Sequence, residues 1–131
     1  MRTEDLTEED VSLMKAAQML IRKRRSKRSS VGTALRTRLG KVFCGVNIEV
    51  RGSAPCSICA EYAAIGTMVA EGEDEIETIV AVSSGRGYSV IPPCGKCREL
   101  IGEFGDPYVI VKIYGELKKV KLNELHPLPV T

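Results

Sequence analysis

Two Cys-x-x-Cys pairs constrain this chain more than any other feature: Cys56 and Cys59 in "SAPCSICAEYAAIGTMVAEG", and Cys94 and Cys97 in "IPPCGKC". Pairs of this kind ordinarily close around zinc as four thiolates, in a ribbon that only holds loops together. Three features oppose that arrangement. The segment between the pairs is far longer than the roughly 15–20 residues of a compact ribbon. Ribbon cysteines sit on tight turns between strands, whereas here each pair is followed by a stretch that reads as a helix. Glu61, two positions past Cys59, is an expensive residue to place in an alanine-rich buried helix unless it has work to do there.

The rest of the composition narrows the function classes. With 131 residues, 44% apolar and 27% charged, the chain reads as one domain, 1–131, large enough for a single core. A net charge of +2 is too small to imply nucleic acid or membrane as a partner. The start "MRTEDLTEED" is acidic and has no apolar run, so no secretory signal is expected. No stretch approaches the roughly 18 apolar residues of a membrane span. Five cysteines without an export signal fit a reducing compartment, the cytoplasm, where paired cysteines more often bind metal than form disulfides. The basic run "RKRRSKR", residues 22–28, reads as the solvated end of the first helix, where cations suit the dipole. No aromatic residues interleave with it to stack bases.

The coarse element order follows from periodicity. Thr7 with Asp10 marks a capped helix start, and a helix is expected from Glu8 to Arg25. A hairpin is expected around Leu39-Gly40-Lys41, then a buried helix from Cys59 to Glu71 ended by Gly72. "IETIVAVSS" reads as a central strand, "GRGYSVIPP" as a loop and "CGKCRELIGEFG" as a short helix. "YVIVKIY" and about Lys118 to Leu122 supply two further strands. Alternating helices and strands in this order imply a mixed sheet covered by helices.

That layout gives the cysteines a geometry. Cys94 and Cys97, three apart at the start of a helix and preceded by Pro93, fall on one face. Cys59 opens the other helix, so two helix N-termini can converge on one ion, their free N–H groups favouring thiolates. The fourth zinc position is open to Cys56, to Cys44 or His126, or to water. Water would explain Glu61, because zinc lowers the pKa of bound water and a nearby carboxylate can take its proton.

Together, "CAE" and "PCGKC" resemble the signature of the zinc nucleoside deaminases, specifically the cytidine deaminase family. The likeness extends over most of the chain: "SVGTAL", "GVNIE", "CAE", "PCGKCREL" and "ELHP" occur in the family's order. The resemblance implies a three-layer α/β/α sandwich with a five-stranded mixed sheet. It implies one Zn2+ per chain held by Cys59, Cys94 and Cys97, with Glu61 as proton carrier. Asn47 and Glu49 would hold the nucleoside sugar, as alternate residues of one strand can, and Ala60 would contact substrate. The activity implied is hydrolytic deamination of cytidine or deoxycytidine, with nucleoside as the small-molecule partner. Small family members are homotetramers, so a homo-oligomer is expected, with "EYAAIG" helices able to pack across its interface.

The chain also departs from the family pattern. Ser29 stands where a phenylalanine is usual, Tyr62 stands where three-cysteine members commonly have arginine, and no C-terminal aromatic is present. These departures lean toward the blasticidin S deaminase branch, while Glu49 leans toward ordinary nucleosides. Three thiolates give Zn2+ a net charge of −1, so the helix ends and Arg98 are expected to supply compensating charge. The competing reading from another class is a non-catalytic zinc module that binds RNA through residues 22–28.

Overall fold

The computed structural model describes residues 1–130. Helix α1 spans Glu8–Arg24. Thr7 Oγ1 accepts the Asp10 N–H at 3.1 Å, and the Asp10 carboxylate accepts the Thr7 N–H at 2.9 Å, the reciprocal cap anticipated from the sequence. Strands β1 (Val31–Thr37) and β2 (Val42–Val46) form the expected antiparallel hairpin, with Gly40 at φ 90° in its turn. Helix α2 (Ala60–Ala70) follows, capped by Cys59 and ended at Gly72, φ 86°. Strand β3 (Ile76–Ser83) then runs through the centre of the sheet.

Beyond β3 lie a short strand β4 (Ser89–Ile91), helix α3 (Gly95–Gly102), strands β5 (Tyr108–Ile113) and β6 (Glu116–Lys121), and a single-turn helix α4 (Leu122–Leu125). The main strand order is β2-β1-β3-β5-β6. Among the described residues only β3 and β5 pair in parallel; the α3 crossover makes that direction possible. The expected five-stranded path is present, but the sheet has a sixth member. Strand β4, read from sequence as loop, pairs antiparallel with the C-terminal end of β3, Val90 opposite Val82. Three residues before a Pro-Pro step are too few to register as alternation.

Strand alternation divides the core between two faces. Ile79 packs with Ala64, Met68 and Ile101 in the layer beneath α2 and α3. Its neighbours Val80 and Val82 pack with Leu13, Ala17 and Ile21 of α1 on the other face. The result is the three-layer α/β/α sandwich that the family resemblance implied. Two glycines let the helices lie close. A Cβ on Gly45 would come within 2.5 Å of the Ala64 nitrogen, and one on Gly32 within 2.8 Å of the Ala17 carbonyl oxygen. Backbone cannot yield at those distances, so at Gly45 the backbone of β2 lies directly against α2, and at Gly32 that of β1 lies directly against α1.

Candidate active site

Cys59 is the N-cap of α2 and Cys94 the N-cap of α3, with no side chain capping either helix by a hydrogen bond. The position that serine or aspartate would ordinarily fill is thus given to a thiol. Cys97 lies one turn into α3 and is fully buried. The sulfurs of Cys59, Cys94 and Cys97 all lie within 4.8 Å of one another. The remaining candidates for the fourth position lie elsewhere. Cys56 is exposed, its thiol 3.3 Å from Ser53 Oγ. Cys44 packs against the core on the α1 face, and His126 Nε2 lies 2.9 Å from a Glu99 carboxylate oxygen. Among the described residues the metal-competent group is therefore three sulfurs, not four.

The donor set fits zinc on its own chemistry. Burial, with the thiols and Glu61 crowded together, pushes the Cys59 and Cys97 thiols above their ordinary range. Burial also opposes ionisation of Cys94, yet hydrogen bonds from the Cys97 N–H and the neighbouring thiols leave it lowered. A cluster that resists full ionisation alone and sits at two positive helix ends is completed by a divalent cation. One zinc ion per chain fits the three sulfurs.

Glu61, in the first turn of α2, is 5% exposed, and burial raises its carboxyl above the usual carboxylate range. It shares a cavity of about 730 Å³ with the three cysteines and Ala60. Asn47 and Glu49 also line that cavity, although not as consecutive outward residues of one strand. Strand β2 ends at Val46, and Ile48 makes only an isolated bridge to Ile58. Asn47 has a structural task that its sequence position did not reveal. Its side-chain oxygen accepts the N–H groups of Ser30 and Val31 at 2.7 and 2.9 Å. Ser29, buried where a phenylalanine was expected, donates its hydroxyl to the Asn47 carbonyl at 2.7 Å. Asn47 lines the cavity, and its amide nitrogen makes only a 3.5 Å contact to Ser30 Oγ.

Arg98 lines no part of the cavity. Its guanidinium donates to the carbonyls of Pro93 and Leu125, both at 2.8 Å, tying the start of α3 to the end of α4. Lys96 was not singled out from the sequence. It lines the cavity between the two α3 cysteines, its ammonium 4.8 Å from the centre of the Tyr62 ring. No pattern in the sequence marked it, because its partner lies on another helix.

Comparison with known proteins accounts for this arrangement. Residues 7–113 match the cytidine and deoxycytidylate deaminase zinc-binding region. Blasticidin-S deaminase from Bacillus cereus is 34% identical over 100% of this chain and 99% of its own length. A probable cytidine deaminase from Dictyostelium discoideum is 42% identical over 61% of this chain and 53% of its own. Cytidine deaminase from Burkholderia pseudomallei superposes with a TM-score of 0.76 at 29% identity, covering 95% of this chain and all of that one. Cytidine deaminase from Mycobacterium leprae shares the fold, with a TM-score of 0.79 over 94% of this chain and all of its own at 24% identity. The chain is a zinc-dependent hydrolytic deaminase and belongs to the cytidine and deoxycytidylate deaminase family.

Proposed function

We propose that the chain converts cytidine or deoxycytidine to uridine or deoxyuridine with release of ammonia. The observation that carries this reading is one cavity containing a three-cysteine metal group, a buried glutamate with a raised pKa, and Asn47 with Glu49. Zinc held by Cys59, Cys94 and Cys97 supplies the Lewis acidity that makes water a competent nucleophile at neutral pH. Glu61 takes one proton of the attacking water and delivers it to N3 of the base. It then takes the second proton from the hydroxyl now on C4 and delivers it to the amine that leaves C4 as ammonia. Its buried setting suits that exchange, because a carboxyl raised from its usual range both accepts and returns protons more evenly near neutrality. Ala60 lies against the bound base, and the Asn47 amide and the Glu49 carboxylate hold sugar hydroxyls. Arg98 serves by fixing the start of α3, and with it Cys94 and Cys97.

A second reading is supported by the relative that matches from end to end. Blasticidin-S deaminase covers the whole chain, and a buried serine replaces the expected phenylalanine at position 29. On that reading the substrate is a modified cytosine nucleoside. Turnover of cytidine, deoxycytidine and blasticidin S by the same zinc-replete protein decides between them. Rapid turnover of blasticidin S with slow turnover of the simple nucleosides would displace the first reading. We further propose that the protein works in the cytoplasm as a homo-oligomer, a tetramer by preference. The exposed apolar residues Ile48, Val50, Ile58 and Val69 are consistent with subunit contacts.

A further inference from the structure

Thr33 carries a polar group that the fold leaves without a partner. It stands in β1, is fully buried, and its hydroxyl oxygen makes no hydrogen bond. A buried hydroxyl left unpaired bears its whole desolvation cost, which a valine of the same shape would avoid.

Strand register places this hydroxyl under the first turn of α2. Thr33 lies opposite Gly45 on β2 and Ala81 on β3. Paired residues project from the same face of a sheet. A Cβ on Gly45 would meet the Ala60 oxygen at 2.9 Å and the Ala64 nitrogen at 2.5 Å, so Thr33 also faces α2. Its two neighbours in the sheet are too small to fill the space beside it. The same face of β1 carries Val31, which lines the thiolate cavity, and Leu35, which packs with Ala64, Ile65 and Met68. Strand β1 and helix α2 both start at the cavity and run away from it. Two residues of strand rise about 6.8 Å and one helical turn about 5.4 Å, so the two elements keep step. With Leu35 against Ile65, Thr33 comes level with Glu61, one turn nearer the cavity.

Glu61 is the group that needs such a partner. Its carboxyl is buried and is engaged by its own N–H and by the Cys97 thiol. A sulfur that ligates zinc is a thiolate and has no proton to donate. The carboxyl must nevertheless keep one orientation while it takes and returns two protons. A hydroxyl can hold it throughout, because it donates to a carboxylate and accepts from a carboxylic acid.

We infer that Thr33 is a positioning residue for Glu61, its hydroxyl bonding the Glu61 carboxyl in the zinc-loaded protein and aiming it into the cavity. This rests on the deaminase reading above and deepens it. Thr33 does not itself line the cavity, so it acts only through Glu61.

The test uses zinc-loaded protein and compares Thr33→Val, which keeps the shape, with Thr33→Ser, which keeps the hydroxyl. Thr33→Val is expected to fold, hold one zinc, and lower kcat about tenfold on its fastest cytosine nucleoside, with KM unchanged. Thr33→Ser should recover most of that loss. The melting-temperature shifts of Thr33→Val and Glu61→Ala should not add in the double variant, because both remove one contact. An unchanged kcat in Thr33→Val would overturn the assignment. Equal losses in Thr33→Val and Thr33→Ser, or a Thr33→Val protein that does not fold, would make Thr33 structural. Additive melting shifts would mean that the hydroxyl is satisfied elsewhere, by a buried water for instance, and would overturn the contact. If the unmodified protein deaminates no cytosine nucleoside, the deaminase reading falls alone, and additivity of the melting shifts still decides the contact.

Discussion

Glu61 shows how much chemistry a single position can disclose. A carboxylate two residues after a metal-binding cysteine was legible in the sequence because a structural ribbon has no use for it. Its burial and raised pKa are what a proton carrier needs. Glu61→Gln keeps size and leaves the three cysteines intact, so zinc content and melting temperature should persist while kcat falls by about 10³-fold or more. Joint loss of zinc and fold would instead make Glu61 structural. Cys56→Ser should retain one zinc per chain and most activity, since Cys56 lies outside the sulfur cluster; loss of the metal in that variant would restore the four-thiolate alternative. Asn47 was only half legible. Its place in "GVNIE" suggested a sugar contact, but the partners of its side-chain oxygen, Ser30 and Val31, lie 17 and 16 residues away. Asn47→Ala leaves two backbone donors without that acceptor, so it should raise KM and also cost about 1–3 kcal/mol of stability. A rise in KM with no change in unfolding midpoint would contradict the clamp.

Helices α1, α2 and α3 and the main strands were readable because each carries its own punctuation: the Thr7–Asp10 cap, Gly72, Pro93 and the alternation of the hairpin. Strand β4 was not, since its three residues gain their identity only from β3. The contacts between elements were equally hidden. Gly45 is one glycine among 12 in the sequence, yet it alone lets β2 approach the turn of α2 that carries Glu61. Gly45→Ala should destabilise the fold by about 1–3 kcal/mol and lower activity with it; an unchanged unfolding midpoint would mean that the helix can shift freely. Asp10 offers a second case, read from sequence only as a cap. It is fully buried and also bonds Arg36 Nη2 at 2.9 Å and Lys119 Nζ at 2.8 Å, joining α1 to β1 and β6. Burial alone would raise its pKa, but the bonds from Lys119, Thr7 and Arg36 outweigh burial and hold it at about 2. A folded pKa below the ordinary 3.8 means the stabilisation is complete above about pH 4 and is lost as pH falls toward about 2. Acid unfolding should therefore steepen across that window by about 2 kcal/mol, and Asp10→Asn should flatten it. An unaltered acid limb in the variant would remove Asp10 from the account.

The whole molecule joins these parts through one arrangement. The sheet is covered on one face by α1 and on the other by α2 and α3, whose N-termini meet at the cysteine cluster. The sandwich was implied by the resemblance and is borne out, because the motif strings that carried it fall on β1, β2, α2 and α3 in order. Assembly was legible only through the resemblance, which implied a homo-oligomer with "EYAAIG" helices packing across its interface, and its test lies in the surfaces of the folded chain. If the exposed Ile48, Val50, Ile58 and Val69 meet other subunits, light scattering should give a mass of four chains of 14.3 kDa, and a charge placed at Val69 should reduce it; a monomer at working concentration would contradict that proposal. Ammonia release from cytidine is the decisive measurement of the proposed zinc-dependent deamination of cytosine nucleosides. Purified protein should carry one zinc per chain and release ammonia stoichiometrically with uridine. Activity should disappear when a chelator removes the metal and return when zinc is restored. Ammonia release that continues at full rate in the zinc-free protein, or none from any cytosine nucleoside with zinc in place, would contradict the account.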